Sequence, residues 1–241
     1  DGLSLDPVLI IGAMRRGPAL AAAAAEKDRA DRWIALAVLA AAAAWVAFLL
    51  PGIALGECLF YGDFHAVFQP LRAALGRALS DGLPLWTDEL SHGQPLLASP
   101  FAAAGYLPNA VFAIAPGASG RLLTLLTAAH LAWGALGTFL LAHRRGSTRA
   151  AALGASVIWA SSGAVLSGTY MTLLSCSAAW LPWFLLAVDR VLVAPSGRAA
   201  LRQAPALLAA TVLLVTAGDP FVAASACLGA AITARPAGDP A

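Results

Sequence analysis

Between Leu122 and Ala142 the chain carries no Asp, Glu, Lys or Arg, and only Thr124, Thr127, His130 and Thr138 interrupt an otherwise apolar and small-residue run. A bilayer core about 30 Å thick is crossed by roughly 20 helical residues at a rise of about 1.5 Å each, so this stretch has the length and character of a transmembrane helix. Lipid offers no partner to a free backbone N–H or C=O, which leaves helices and closed barrels as the only structures that cross it. Trp33 to Leu50 and Ala150 to Tyr170 read the same way, Met171 to Val188 is a shorter span bent by Pro182, and Pro205 to Ala217 and Phe221 to Ala234 are shorter still. Hydrophobic residues make up 60% of the chain, charged residues 12%, and the mean hydropathy is +0.76, values far from those of soluble domains. The expected fold is all-α, a polytopic transmembrane bundle of about six spans. Residues 1–32 form a cytoplasmic amino-terminal segment, and 33–241 form the membrane domain.

Charge placement orients this bundle. Lys27, Arg29 and Arg32 precede the first span; Arg144, Arg145 and Arg149 join the second and third; Arg190, Arg198 and Arg202 join the fourth and fifth; Arg235 follows the sixth. The positive-inside rule makes these connections cytoplasmic and turns the others outward, including the long stretch 52–120. Asp63, His65, Asp88, Glu89, His92 and the Gly218-Asp219-Pro220 turn then share the outer face. With a net charge of +2 and dispersed basic residues, the chain shows no nucleic-acid footprint. Membrane lipids are its expected surroundings.

Loops as long as 52–120 are uncommon unless they carry function. Phe64, Val67, Phe68, Leu71, Leu75 and Leu79 recur at helical steps, while His65, Gln69, Arg72, Gly76 and Ser80 occupy the opposite side, a pattern predicting an interfacial amphipathic helix that stops at Asp81-Gly82. Beyond it, Pro84, Pro95, Pro100 and Pro108 punctuate an irregular stretch, with Trp86 and Tyr106 suited to the headgroup layer. Cys58 and Cys176 fall where a disulfide is topologically possible. There is no HExxH, no CxxC and no phosphate-binding glycine loop. Asp63 stands just ahead of the helix as either its N-cap or a chemical carboxylate. His130, in mid-span, fits a hydrogen bond between helices.

Several segments resemble one family. Gly62-Asp63 to Gln69-Pro70, Leu83-Pro84-Leu85-Trp86, Gly93 to Ala98 and Tyr106-Leu107-Pro108-Asn109 are similar to the first outer loop of YfhO-like bacterial membrane proteins, of the GT-C superfamily. Ser162-Gly163 and Ala179-Trp180-Leu181-Pro182-Trp183 are similar to that family's middle spans, whereas Asp219 stands where a Gly-His-Pro turn would carry His. The resemblance implies either an amino-terminal portion of a longer protein or a reduced member of the family, located in the bacterial inner membrane with 52–120 outside. It also implies transfer of a sugar from a polyprenyl-phosphate donor to an acceptor at the outer face. In such a reaction Asp63 is the candidate catalytic base, and His65, Arg72, Arg77, Asp88, Glu89 and His92 are candidate substrate-binding residues. A divalent ion is compatible with Asp88, Glu89 and His92, though no metal ligand set is assigned. A lipid or lipid-linked sugar transporter, and a non-catalytic membrane scaffold, are the competing readings.

Overall fold

The structure is a computed structural model and describes Arg29 and residues 33–233. The cytoplasmic segment read over 1–32 lies outside these residues except for Arg29. The chain divides at Val38–Leu39, and the bundle belongs to the second unit, Leu39–Ala241.

Helices dominate. Helix α1 (Trp33–Leu49) is followed by a single turn, α2 (Pro51–Ala54), and then by the long loop with α3 (Gln69–Asp81). The remaining helices are α4 (Ser119–Arg144), α5 (Arg149–Ser161), α6 (Gly163–Ser167), α7 (Thr172–Leu192), α8 (Gly197–Thr216) and α9 (Pro220–Thr233). Among the described residues four segments are long and apolar enough to cross a membrane: Pro116–Arg144, Arg149–Tyr170, Thr172–Leu192 and Gly197–Thr216. Trp33–Leu49 and Pro220–Ile232 are apolar but shorter, so the expected six spans resolve into four of full length and two short helices. The fifth span is longer than its apolar run suggested. Ser196 accepts a hydrogen bond from the Ala199 N–H and starts α8 well ahead of Pro205, which the helix carries in its interior. The third span breaks at Ser162, whose extended backbone ends α5 while its hydroxyl caps α6 at Val165.

Small residues and tryptophans build the central seam. α4 packs against α7 and α5, and α7 in turn against α8 and α9. A Cβ on Gly134 would drive into the Trp159 ring of α5, and one on Gly137 would lie 2.7 Å from Trp183 Nε1 of α7. Close approach at Gly137 lets the Trp133 and Trp183 rings stack at 4.1 Å, with Trp183 Nε1–H donating to the Trp133 carbonyl at 3.0 Å. Pro182 is buried in the same seam.

The long loop is a folded cap on one end of the bundle. Phe64 to Phe68 form a π-helical turn leading directly into α3. Phe64 and Phe68 then join Tyr106, Phe112, Leu123, Leu173 and Ala217 in one core. The anticipated interfacial helix is therefore corrected: α3 is covered on both sides. Its buried residues include Leu71 and Leu75 but also Arg72 and Gly76, because the 3₁₀ segment Leu107–Ala113 lies across the face expected to be open. The helix does end at Gly82, whose φ of 135° suits glycine. The stretch after it is less irregular than its prolines imply, since Trp86–Thr87 pairs antiparallel with Gln94–Pro95. The three cysteines are free, with Cys58 exposed and Cys176 buried, so the possible bridge between them does not form.

Candidate functional site

Three connections meet at the capped end. The Leu59 N–H donates to Thr124 Oγ1 on α4 at 3.0 Å. Thr169 Oγ1 already donates to the Leu166 carbonyl, so the Tyr61 hydroxyl donates to Thr169 at 2.5 Å. The Asp219 N–H donates to Ser177 Oγ on α7 at 3.2 Å. Asp63 and the Gly218-Asp219-Pro220 turn thus stand at the same end, as the charge pattern required, while the Arg144 and Arg145 ion pairs to Asp189 tie α4 to α7 at the other.

Asp63 is exposed. It adopts helical backbone angles (φ −65°, ψ −22°) and its side chain makes no capping hydrogen bond, which removes the N-cap role. Among the described residues its carboxylate has no partner. Of the flanking side chains, Phe64 is fully buried, the exposed Phe60 ring lies 3.7 Å from that of His65, and His65 Nδ1 meets Gln69 Oε1 at 2.9 Å. The amide oxygen accepts, so Nδ1 carries the proton and Nε2 is left open. A π-helical turn widens the backbone to aim side chains that an α-helix would not place together, and such turns concentrate at functional sites.

The other candidates separate into two groups. Arg77 forms a bidentate pair with Glu89, which raises the guanidinium above its ordinary value and holds the Glu89 carboxyl below the usual range, in both cases chiefly through the shared hydrogen bonds. Asp88 accepts from Trp86 Nε1 at 2.7 Å. His92 is exposed at the hairpin tip with φ 61°. Among the described residues no three His, Cys, Asp or Glu side chains gather as a metal site.

Arg72 is elsewhere, and its expected place on an open face is corrected. Only 2% of it is exposed, it donates to the Phe101 carbonyl at 2.9 Å and the Ala102 carbonyl at 2.5 Å, and its Nε has no partner. Burial pushes this guanidinium down to about 10, still protonated at neutral pH. Its work is to hold the segment from Phe101. Gly218 presses on that segment from the other side: its φ is 103°, and a Cβ there would lie 2.7 Å from the Pro100 carbonyl oxygen. Between them opens a cavity of about 440 Å³ bordered by Ser99, Ala104, Thr216 and Asp219. Asp219 Oδ1 accepts from the Val222 N–H at 2.9 Å, capping α9.

A buried polar chain runs beneath the cap. Trp180 Nε1–H donates to the Tyr106 hydroxyl at 2.7 Å, and the hydroxyl in turn bonds His130 Nε2. His130 Nδ1 lies 2.6 Å from the Leu126 carbonyl, which can only accept, so Nδ1 carries the ring proton and Nε2 receives the phenol's. His130 is thereby bonded to its own helix and to the loop, and a side-chain hydrogen bond with Cys176 of α7 adds the link between helices that its mid-span position suggested. Tyr106 is 1% exposed, which corrects its placement in the headgroup layer, and desolvation drives its phenol well above the ordinary tyrosine value. The local sequence Gly105-Tyr106-Leu107-Pro108 carried no burial signal; only the partners on α4 and α7 disclose it.

This is the architecture of a helical membrane protein, with five of the seven Asp and Glu side chains among the described residues in a folded cap at one end. The chain matches no protein-family model, no curated protein and no solved structure.

Proposed function

We propose that the chain is the catalytic membrane region of a glycosyltransferase that moves a sugar from a polyprenyl-phosphate donor to an acceptor at the outer face of the membrane. The observation that carries this reading is the unengaged Asp63 carboxylate, exposed immediately ahead of a π-helical turn that is anchored in the core by Phe64 and Phe68. A base must be free to accept a proton, and Asp63 has no structural task that competes. Its carboxylate removes the acceptor hydroxyl's proton as that oxygen bonds to the anomeric carbon. The bond from that carbon to the phosphate oxygen breaks, and the polyprenyl phosphate departs with its electron pair. His65, when protonated, would donate from Nε2 to the departing phosphate, since Nδ1 is engaged by Gln69. Arg77 is paired with Glu89 and Arg72 is buried, so neither is assigned to the phosphate. The reading places the bundle in a bacterial inner membrane, with the cap outside.

The break at Ser162 favours a transporter as the second reading, because discontinuous helices line many transport sites. Its freed backbone is capped by Ser162 itself, and Gly163 and Ala164 beside it are exposed.

Sugar transfer by wild-type and Asp63→Asn protein, offered a panel of polyprenyl-phosphate sugars with bound donor followed by native mass spectrometry, tests the proposal. Loss of a proton acceptor of this kind lowers turnover by roughly 10²-fold or more. Donor binding is expected to stay unchanged. Unchanged turnover in the variant, or no transfer by wild type from any donor, would refute it.

A further inference from the structure

The end opposite Asp63 holds a cavity of about 380 Å³ where the last turns of α4 and α7 meet the start of α8, bordered by Arg144, Arg190, Ala199 and Gln203. Its volume lies within the roughly 300–1,000 Å³ of ligand clefts. The charge around it is strongly positive. Asp189 is the acid at this corner and is already shared by Arg144 Nε at 2.7 Å and Arg145 at 3.4 Å. Among the described residues Arg190 has no hydrogen bond or ion pair, and Gln203, half-buried, has none from its amide. Two arginines are therefore offset by one carboxylate, while a third, Arg190, stands unmatched at the cavity.

An apolar groove occupies the same helix pair. Val191, Gly197, Ala200, Ala204, Leu207 and Thr211 border it along α7 and α8. Arg190 borders the basic cavity and its neighbour Val191 borders the groove. A ligand suited to both has an anionic head and a long apolar tail, and basic pockets between transmembrane helices are known to take such headgroups. We infer that the α4–α7–α8 corner is a binding site for an anionic phospholipid, with Arg190 and Gln203 holding the phosphate and the α7–α8 groove taking an acyl chain. This site is independent of the transferase reading.

The test uses the full chain in mild detergent, presented with equal amounts of phosphatidylglycerol and phosphatidylcholine of matched acyl chains and weighed by native mass spectrometry. Wild type is expected to retain phosphatidylglycerol roughly fivefold to tenfold over phosphatidylcholine, with Arg190→Ala and Gln203→Glu abolishing that preference. Arg202→Ala removes the same charge from the exposed part of α8 outside the cavity and is expected to change nothing. Arg190 is exposed and unpaired, so its replacement leaves the packed seam intact. Equal retention of both lipids would overturn the proposal. So would an equal loss in Arg190→Ala and Arg202→Ala, which would mark diffuse surface charge. Displacement of the lipid by millimolar inorganic phosphate would overturn it in favour of a free-anion site.

Discussion

Removing one oxygen atom, by Tyr106→Phe, tests whether the buried chain from Trp180 through Tyr106 to His130 holds the cap on the bundle. The ring stays, so packing is conserved and no cavity opens. Two hydrogen bonds disappear: the one Trp180 Nε1–H donates to the hydroxyl at 2.7 Å, and the one the hydroxyl donates to His130 Nε2. Tyr106 is 1% exposed and His130 6%, so water does not replace the phenol and the ring keeps only the weak thiol of Cys176 as a side-chain partner, whereas Trp180 is half-buried and recovers part of its loss. An orphaned buried donor or acceptor costs about 1–3 kcal/mol, which puts the substitution at about 2–4 kcal/mol. Tryptophan fluorescence across a titration of SDS into mild-detergent micelles measures this, because Trp133, Trp180 and Trp183 lie along the α4–α7 seam. A double-mutant cycle with His130→Ala should give a coupling above about 1 kcal/mol. A Tyr106→Phe protein within about 0.5 kcal/mol of wild type, with no coupling, would show that the chain of hydrogen bonds contributes nothing and that apolar packing alone seats the cap.

Arg72→Ala should cost about 2–4 kcal/mol, since the Phe101 and Ala102 carbonyls lose their donor, and should raise hydrogen exchange through the segment 100–105; slow exchange there in the variant would contradict the clamp assigned to Arg72. The Arg77–Glu89 pair ties α3 to the hairpin at the surface. Its contribution is small, below about 1 kcal/mol, and is screened by salt. Because Glu89 is held below its ordinary value of 4.5, the contribution is present above that value and lost as pH falls through the lowered one. Protease cleavage between Trp86 and Pro95 should accelerate on acidification in wild type, and Glu89→Gln should flatten that dependence. An unchanged pH response in Glu89→Gln would assign the effect to other groups. For Asp63→Asn the expected stability change is within about 0.5 kcal/mol, because the exposed carboxylate has no partner to lose.

The apolar runs and the positions of the arginines made the helical bundle and its two ends legible without coordinates. A span must be apolar for its whole length, and that demand is written residue by residue from Leu122 to Ala142. The stop at Gly82 was equally local, because a left-handed turn favours glycine. Asp63 could be singled out by its position, but whether it capped the helix or stood free depended on a backbone geometry that no spacing encodes. The face of α3 was misread for a related reason. Periodicity reports a helix buried on one side, and α3 is covered on two, so Arg72 and Gly76 are interior along with Leu71 and Leu75. Tyr106 and Trp180 are 74 residues apart, and their hydrogen bond exists because the loop folds back onto the spans. Local composition determined which segments leave water; only the packing of distant segments decided which polar groups left with them, since a buried arginine or phenol is tolerated where carbonyls and ring nitrogens far along the chain arrive to satisfy it.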